Sequence, residues 1–157
     1  MLIIAWEVTA ACNLACLYCR ASASASPDEA ELSTEEAEGF IDQVAPLRPM
    51  LIFSGGEPLL RPDIFHLADY ARSRGIRVSL ATNGTLLTPE AVERIKRAGI
   101  MRVSISLDGP SPEVHDASRG PGSFERAAQG IGNLRGEVDF QINMTITKDN
   151  LDEVSAT

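Results

Sequence analysis

Basic residues are in short supply. The 157-residue chain sets 14 Lys and Arg against 22 Asp and Glu, a formal charge of −8. It therefore lacks the cationic patch that nucleic acid or an anionic membrane surface would need. Long hydrophobic runs are missing too, since nothing approaches the roughly 20 apolar residues of a membrane span. Met1-Leu2-Ile3-Ile4-Ala5-Trp6 has no basic leader and meets Glu7 at once, which argues against a signal peptide. A cytoplasmic protein without nucleic-acid or membrane partners is expected. Histidine is scarce: His66 and His115 fall in a predicted helix and a loop without a partner at metal-binding spacing, so neither receives a site role. What remains is 44% hydrophobic and 23% charged, ordinary for a globular chain and long enough for one domain or part of a larger one.

Cysteine is also sparse, but its placement is not random. Cys12, Cys16 and Cys19 are the only cysteines, and they fall within eight consecutive positions. An odd number cannot be fully paired in disulfides, and buried core thiols would be scattered. Zinc could accept three thiolates and a water, although structural zinc usually takes four protein ligands. An iron–sulfur cluster normally takes four cysteines as well, so three would leave one iron open to an outside ligand. Both readings need cysteine at every one of these positions, but only the cluster makes use of a missing fourth.

The rest of the chain alternates strand and helix. Leu2 to Val8 reads as a strand, followed by the cysteine segment and a small polar loop over Ser22 to Asp28. Ser33 and Glu36 fit a capping box that opens a helix from Thr34 to Val44. Met50 to Ser54 is a second strand, and a helix is expected from Pro62 to a stop at Gly75. Ile76 to Ala81 is a third strand, and Thr88-Pro89 opens a helix that ends at Gly99. Met101 to Leu107 is a fourth strand, and Ser123 is expected to cap the next helix. Phe140 to Thr147 is a fifth strand, with a last helix beginning at Asn150 and carrying Leu151 and Val154. Such spacing suits βα crossovers in a parallel sheet, whose ligands gather at the C-terminal ends of the strands.

Side-chain parity selects between sheet types. In the fourth strand Val103, Ile105 and Leu107 alternate with Ser104, Ser106 and Asp108. In the fifth, Phe140, Ile142, Met144 and Ile146 alternate with Gln141, Asn143, Thr145 and Thr147. A flat sheet covered by helices on both faces should be apolar on both. One polar face predicts a sheet curved around a polar cavity, an α/β partial parallel (β/α) barrel. Ser106 would then point inward, and Gln141 and Asn143 become candidates for a substrate side.

The cysteine pattern, with Tyr18 before its last member, resembles the signature of the radical S-adenosylmethionine (SAM) superfamily. Gly55-Gly56-Glu57-Pro58, Thr82-Asn83-Gly84 and Ser106-Leu107-Asp108-Gly109 follow at successive strand ends, as in that family. The resemblance implies a 4Fe-4S cluster on Cys12, Cys16 and Cys19, with SAM chelated to the open iron and cleaved to methionine and a 5′-deoxyadenosyl radical. It implies that Gly55 and Gly56 admit the SAM amino group, that Glu57 accepts its protons, and that Ser106 and Arg119 hold its carboxylate. Asn83 would contact SAM or order the rim, and Tyr18 could lie against the adenine. An electron donor such as flavodoxin or ferredoxin is implied as a partner.

Segments outside these motifs narrow the resemblance. Trp6-Glu7-Val8-Thr9, Cys19-Arg20-Ala21, the run from Phe53 to Ile64 and Gln141-Ile142-Asn143 resemble enzymes of haem d1 and alternative haem biosynthesis, which act on carboxylate side chains of tetrapyrroles. Related enzymes that mature peptides or cofactors, often with a C-terminal SPASM-type cluster domain, are the alternative. A non-catalytic iron–sulfur or zinc-binding module is a third. The family core has six βα units and five strands are expected here, so residues 1–157 are expected to be a core domain incomplete at its C-terminus.

Overall fold

The computed structural model describes residues 2–155, so Met1 and the last two positions of the expected C-terminal helix lie outside the described residues. Among the described residues, β1 (Ile3–Thr9), β2 (Met50–Gly55), β3 (Arg77–Thr82), β4 (Arg102–Ser106) and β5 (Asp139–Asn143) form one sheet in that order. Every neighbouring pair is parallel. Helices α1 (Thr34–Val44), α2 (Ile64–Ser73), α3 (Pro89–Arg97), α4 (Pro112–Arg119) and α5 (Ser123–Leu134) provide the crossovers.

The parity reading holds, and the register shows why. Trp6, Phe53, Leu80, Val103 and Phe140 stand side by side across the sheet. Phe53, Leu80 and Val103 are buried in the core, and Trp6 and Phe140 pack against it. Ile41 of α1, Leu67 of α2, Ile95 of α3 and Leu134 of α5 fill the same core, so the helices cover this face. Burying a side chain of this size is worth about 1.5–3 kcal/mol. On the opposite face Glu7 lies beside Ser54, and Ala81 beside Ser104, which in turn lies beside Gln141. The sheet is a partial parallel barrel with its polar side inward.

Local signals succeed where a side chain meets its own backbone. Ser33 accepts from the Glu36 amide while Glu36 accepts from that of Ser33, and Thr88 caps α3 through the Ala91 amide. Other expectations are corrected. Pro62 does not start α2: residues Pro58–Leu60 form a 3-10 turn and the helix begins at Ile64. Asp63, at the cap position, spends its carboxylate on Arg61 and Thr34 instead of on the helix. Ser123 is the first residue of α5 and not its cap. Asp116 of α4 supplies that function, accepting from the Gly122 and Phe124 amides and the Ser123 hydroxyl. β5 ends at Asn143 and not Thr147, because the Thr145 amide goes to Asp108 and the Thr147 amide to Asn150. The described part of the expected last helix is a 3-10 turn at Leu151–Glu153.

α4 lies where the sequence reads as loop, yet it brings Arg119 and His115 to the sheet. His115 is fully buried, accepts the Asp108 amide at Nδ1 (3.1 Å), and stacks edge-on against Phe124. Burial, with the nearby Arg119 charge, holds its pKa below the ordinary 6.5. The unfolded chain takes up a proton at this residue as pH falls through 6.5 while the folded one resists, so stability should fall in that window. Urea midpoints at neutral and mildly acid pH should show the drop in the wild type and a smaller one in His115→Phe. Equal drops in both would assign it to other groups.

Candidate functional site

β1 hands the chain directly to the cysteine segment, and several backbone bonds hold the exit. The Cys12 amide donates to Ser24 O (2.7 Å) and the Ser24 amide to Ala10 O (2.9 Å). Glu31 accepts the Thr9 hydroxyl and the Ala10 amide through one carboxylate oxygen. The Gly56 amide reaches Thr9 O and the Glu57 amide Ala11 O, both at 2.7 Å. This stitching explains the paired glycines. A Cβ on Gly55 would sit 2.4 Å from Thr9 O, and one on Gly56 2.2 Å from Ala11 O. The glycines are there because another backbone passes against them, and the same close packing brings them to the site wall.

Cys12, Cys16 and Cys19 border one cavity of about 210 Å³ at the C-terminal ends of the strands. Of the expected cofactor contacts, Tyr18, Gly55, Gly56, Asn83, Ser106 and Arg119 line it as well, but Glu57 does not. Glu57 is fully buried, and its carboxylate accepts the Thr82 hydroxyl (2.8 Å to each oxygen), the Asn83 amide (2.8 Å) and the Leu59 amide (3.1 Å). The Glu57 carboxylate is thus engaged by the protein and stands outside the cavity lining where the contact with the SAM amino group was expected. Glu57 ties the β2 turn to the end of β3, and burial pushes its pKa up despite these donors. Glu57→Gln replaces an acceptor with an amide donor facing N–H and O–H groups. It should cost about 1–3 kcal/mol in urea unfolding, and SAM affinity per folded molecule should stay near wild type. A selective loss of SAM affinity would assign Glu57 a direct contact with SAM.

Asn83 sits where the β3 turn meets the cysteine loop. Its Nδ2 donates to Asn13 Oδ1 (2.8 Å) and its Oδ1 accepts from the Thr85 amide and hydroxyl. It orders the rim while presenting itself to the cavity. Arg119 is buried and forms an ion pair with Asp108, donating from Nε and Nη2. Asp108 is 1% exposed and also accepts Tyr18 Oη, Ser118 Oγ and the Thr145 amide. Tyr18 thus points its hydroxyl at Asp108, with the Arg119 guanidinium 5.7 Å from its ring centroid. Gln141 and Asn143, exposed on the polar face, hydrogen-bond to each other at 3.0 Å.

The donor set tests which metal group could fit. Cys12 Sγ accepts the Leu14 amide and Cys19 Sγ the Ala23 amide, both at 3.4 Å. Burial pushes the Cys12 and Cys16 thiols up, opposed at Cys16 by the Arg119 charge. A bound metal reverses that by replacing the proton. Among the described residues no three His, Cys, Asp or Glu side chains are grouped to hold a single ion. A zinc ion needs its sulfurs about 2.3 Å from one centre, whereas a cluster spreads its ligands around a polynuclear core. Three sulfurs bordering one cavity, with no fourth cysteine in the chain, fit a cluster that leaves one iron open.

A partial parallel barrel with three cysteines at its C-terminal rim defines the class. The chain belongs to the radical SAM superfamily: residues 6–157 match the family described by that name, whose members use a 4Fe-4S cluster and SAM. It is 54% identical, over 99% of its length, to the AdoMet-dependent heme synthase of Methanosarcina barkeri. The mycofactocin maturase MftC of Mycolicibacterium smegmatis is 39% identical over 96% of the chain. The chain spans 45% of the former's length and 39% of the latter's. The solved structure of native anSMEcpe with bound AdoMet shares the fold at a TM-score of 0.82 and 23% identity, covering 98% of this chain and 47% of that one. Among the described residues no helix is long and apolar enough to cross a membrane.

Proposed function

We propose that residues 1–157 form a radical SAM core domain that holds a 4Fe-4S cluster on Cys12, Cys16 and Cys19 and acts on a carboxylate side chain of a tetrapyrrole. The observation that carries the cofactor reading is the shared cavity, where three sulfurs, the Gly55-Gly56 backbone and the Arg119 cation meet at one rim. When bound, the cluster and SAM supply one-electron reductive cleavage to methionine and a 5′-deoxyadenosyl radical that abstracts hydrogen. The chain's own residues bind and orient. The Gly55 and Gly56 backbone borders the space for the SAM amino group, and Ser106 and Arg119 offer donors to its carboxylate. Asn83 fixes the rim beside Cys12, its Nδ2 lying 3.9 Å from Cys12 Sγ.

The tetrapyrrole reading is supported by the 54% identity to the heme synthase against 39% to the peptide maturase. Arg20 adds chemical support. It borders the cavity, is largely exposed, and is held by Glu7 through one 3.3 Å contact, so it is available to an anionic substrate. An electron donor such as flavodoxin or ferredoxin would supply the reducing equivalent. The test is anaerobic turnover of the reconstituted protein with SAM, dithionite and iron coproporphyrin III, followed by mass spectrometry. With an electron acceptor supplied, loss of carbon dioxide together with two hydrogens per side chain, one carried off as 5′-deoxyadenosine and the other leaving as a proton and an electron, supports the reading. An unmodified tetrapyrrole, with SAM consumed only when a peptide is supplied, favours the maturase alternative.

A further inference from the structure

We infer that Asp108 is a positioning residue for the SAM carboxylate: it couples the cysteine loop to Arg119 and fixes which edge of the guanidinium faces the cavity. The inference rests on the reading of the cavity as a SAM site. Asp108 is buried and does not line the cavity, so it acts through its partners. One carboxylate oxygen receives Tyr18 Oη and Arg119 Nε, and the other receives Arg119 Nη2 at 3.3 Å and the Thr145 amide at 2.9 Å.

A guanidinium has five N–H donors in a rigid plane. Asp108 occupies the side formed by Nε and Nη2, and Nη1 carries no hydrogen bond among the described residues. Because Arg119 borders the cavity, its remaining edge is the one left for an incoming carboxylate. Arg119 can therefore serve two carboxylates at once, Asp108 from the side and the ligand from the end. Tyr18 lies between Cys16 and Cys19, and the neighbouring Leu17 amide donates to Ser118 O in α4 at 2.9 Å. The loop that carries the sulfurs is thus docked on the same carboxylate and the same helix that aim the cation. Asp108 is itself held from behind, its amide on His115 Nδ1 and its carbonyl on Asn150 Nδ2.

The experiment compares the equilibrium binding of SAM and of decarboxylated SAM to the reconstituted protein. Wild type should prefer SAM, because decarboxylated SAM has no carboxylate to offer Arg119 or the open iron. In Asp108→Asn that preference should shrink about tenfold or more, the scale of a lost charge-assisted contact. Affinity for decarboxylated SAM should hold, and Asp108→Glu should recover part of the preference. The ratio does not depend on the folded fraction, so a destabilised variant still reports. An unchanged preference in Asp108→Asn, or equal loss of both ligands, overturns the positioning role. A wild type without any preference contradicts the SAM-site reading itself.

Discussion

Replacing Cys16 by Ala should leave a folded chain that no longer retains iron. After anaerobic reconstitution the wild type should hold about four irons per chain, as a cubane cluster requires, and the variant only background. The reason is the ligand count. The loop offers three sulfurs and no fourth, so two thiolates would have to hold a cluster with half of its irons unanchored by protein. Stability should change little, because the bonds that dock the loop use the Leu17 amide, the Tyr18 hydroxyl and the Cys12 amide and not the Cys16 sulfur. Iron and sulfide analysis beside a thermal melt checks both halves. An intact cluster in the variant would remove the basis for the metal assignment.

Gly56→Ala should be the most damaging substitution of a small residue near the site. Its new Cβ would lie 2.2 Å from Ala11 O and 2.7 Å from Ala10 O. Both are backbone atoms of the strand exit, so no side chain can swing away. Relief requires the Gly56 turn and the cysteine loop to separate, which strains or breaks the bonds from the Gly56 and Glu57 amides. Overpacking of this kind costs about 1–3 kcal/mol, and the loss of the hydrogen bonds adds about 0.5–1.5 kcal/mol each. A fall of about 3 kcal/mol or more in urea unfolding is expected, with reduced iron retention because the sulfurs move with the loop. Gly39→Ala is the control. Nothing lies within 4 Å of its Cβ in α1, so it should be neutral or stabilising by up to about 1 kcal/mol. Similar behaviour of the two variants would mean that close backbone approach is not what Gly56 provides.

The cysteine cluster, the strand order and the polar inner face were legible because each rests on a local pattern. Ligand spacing lies within one loop, crossover lengths within one βα unit, and parity within one strand. Ser33, Glu36 and Thr88 announce helix starts because their partners lie three residues away. What the local pattern does not carry has long-range causes. Glu57 turns inward because Thr82 and the Asn83 amide, on the adjacent strand's end, offer it donors. Asp108 looks like a turn residue in Asp-Gly-Pro, and the tyrosine it receives is 90 positions away. α4 is short and largely polar, and its opening Pro112 and the Gly120 that follows it have the composition of a loop. Ser111-Pro112 followed by Glu113 was an available start signal. The Asp116 cap of α5 could not be inferred without it, since the capping carboxylate comes from the preceding helix.

The reach of the sequence ends at substrate. The polar inner face, Arg20 and the Gln141–Asn143 pair describe a surface that can meet an anion and hydrogen-bonding groups, and the identities to relatives set the order in which substrates should be tried. The cofactor chemistry is prior to that choice and can be tested without it. Reconstituted protein given SAM and dithionite under anaerobic conditions, and analysed by liquid chromatography, should release 5′-deoxyadenosine and methionine in equal amounts. SAM recovered intact from protein carrying its full complement of iron would contradict the account.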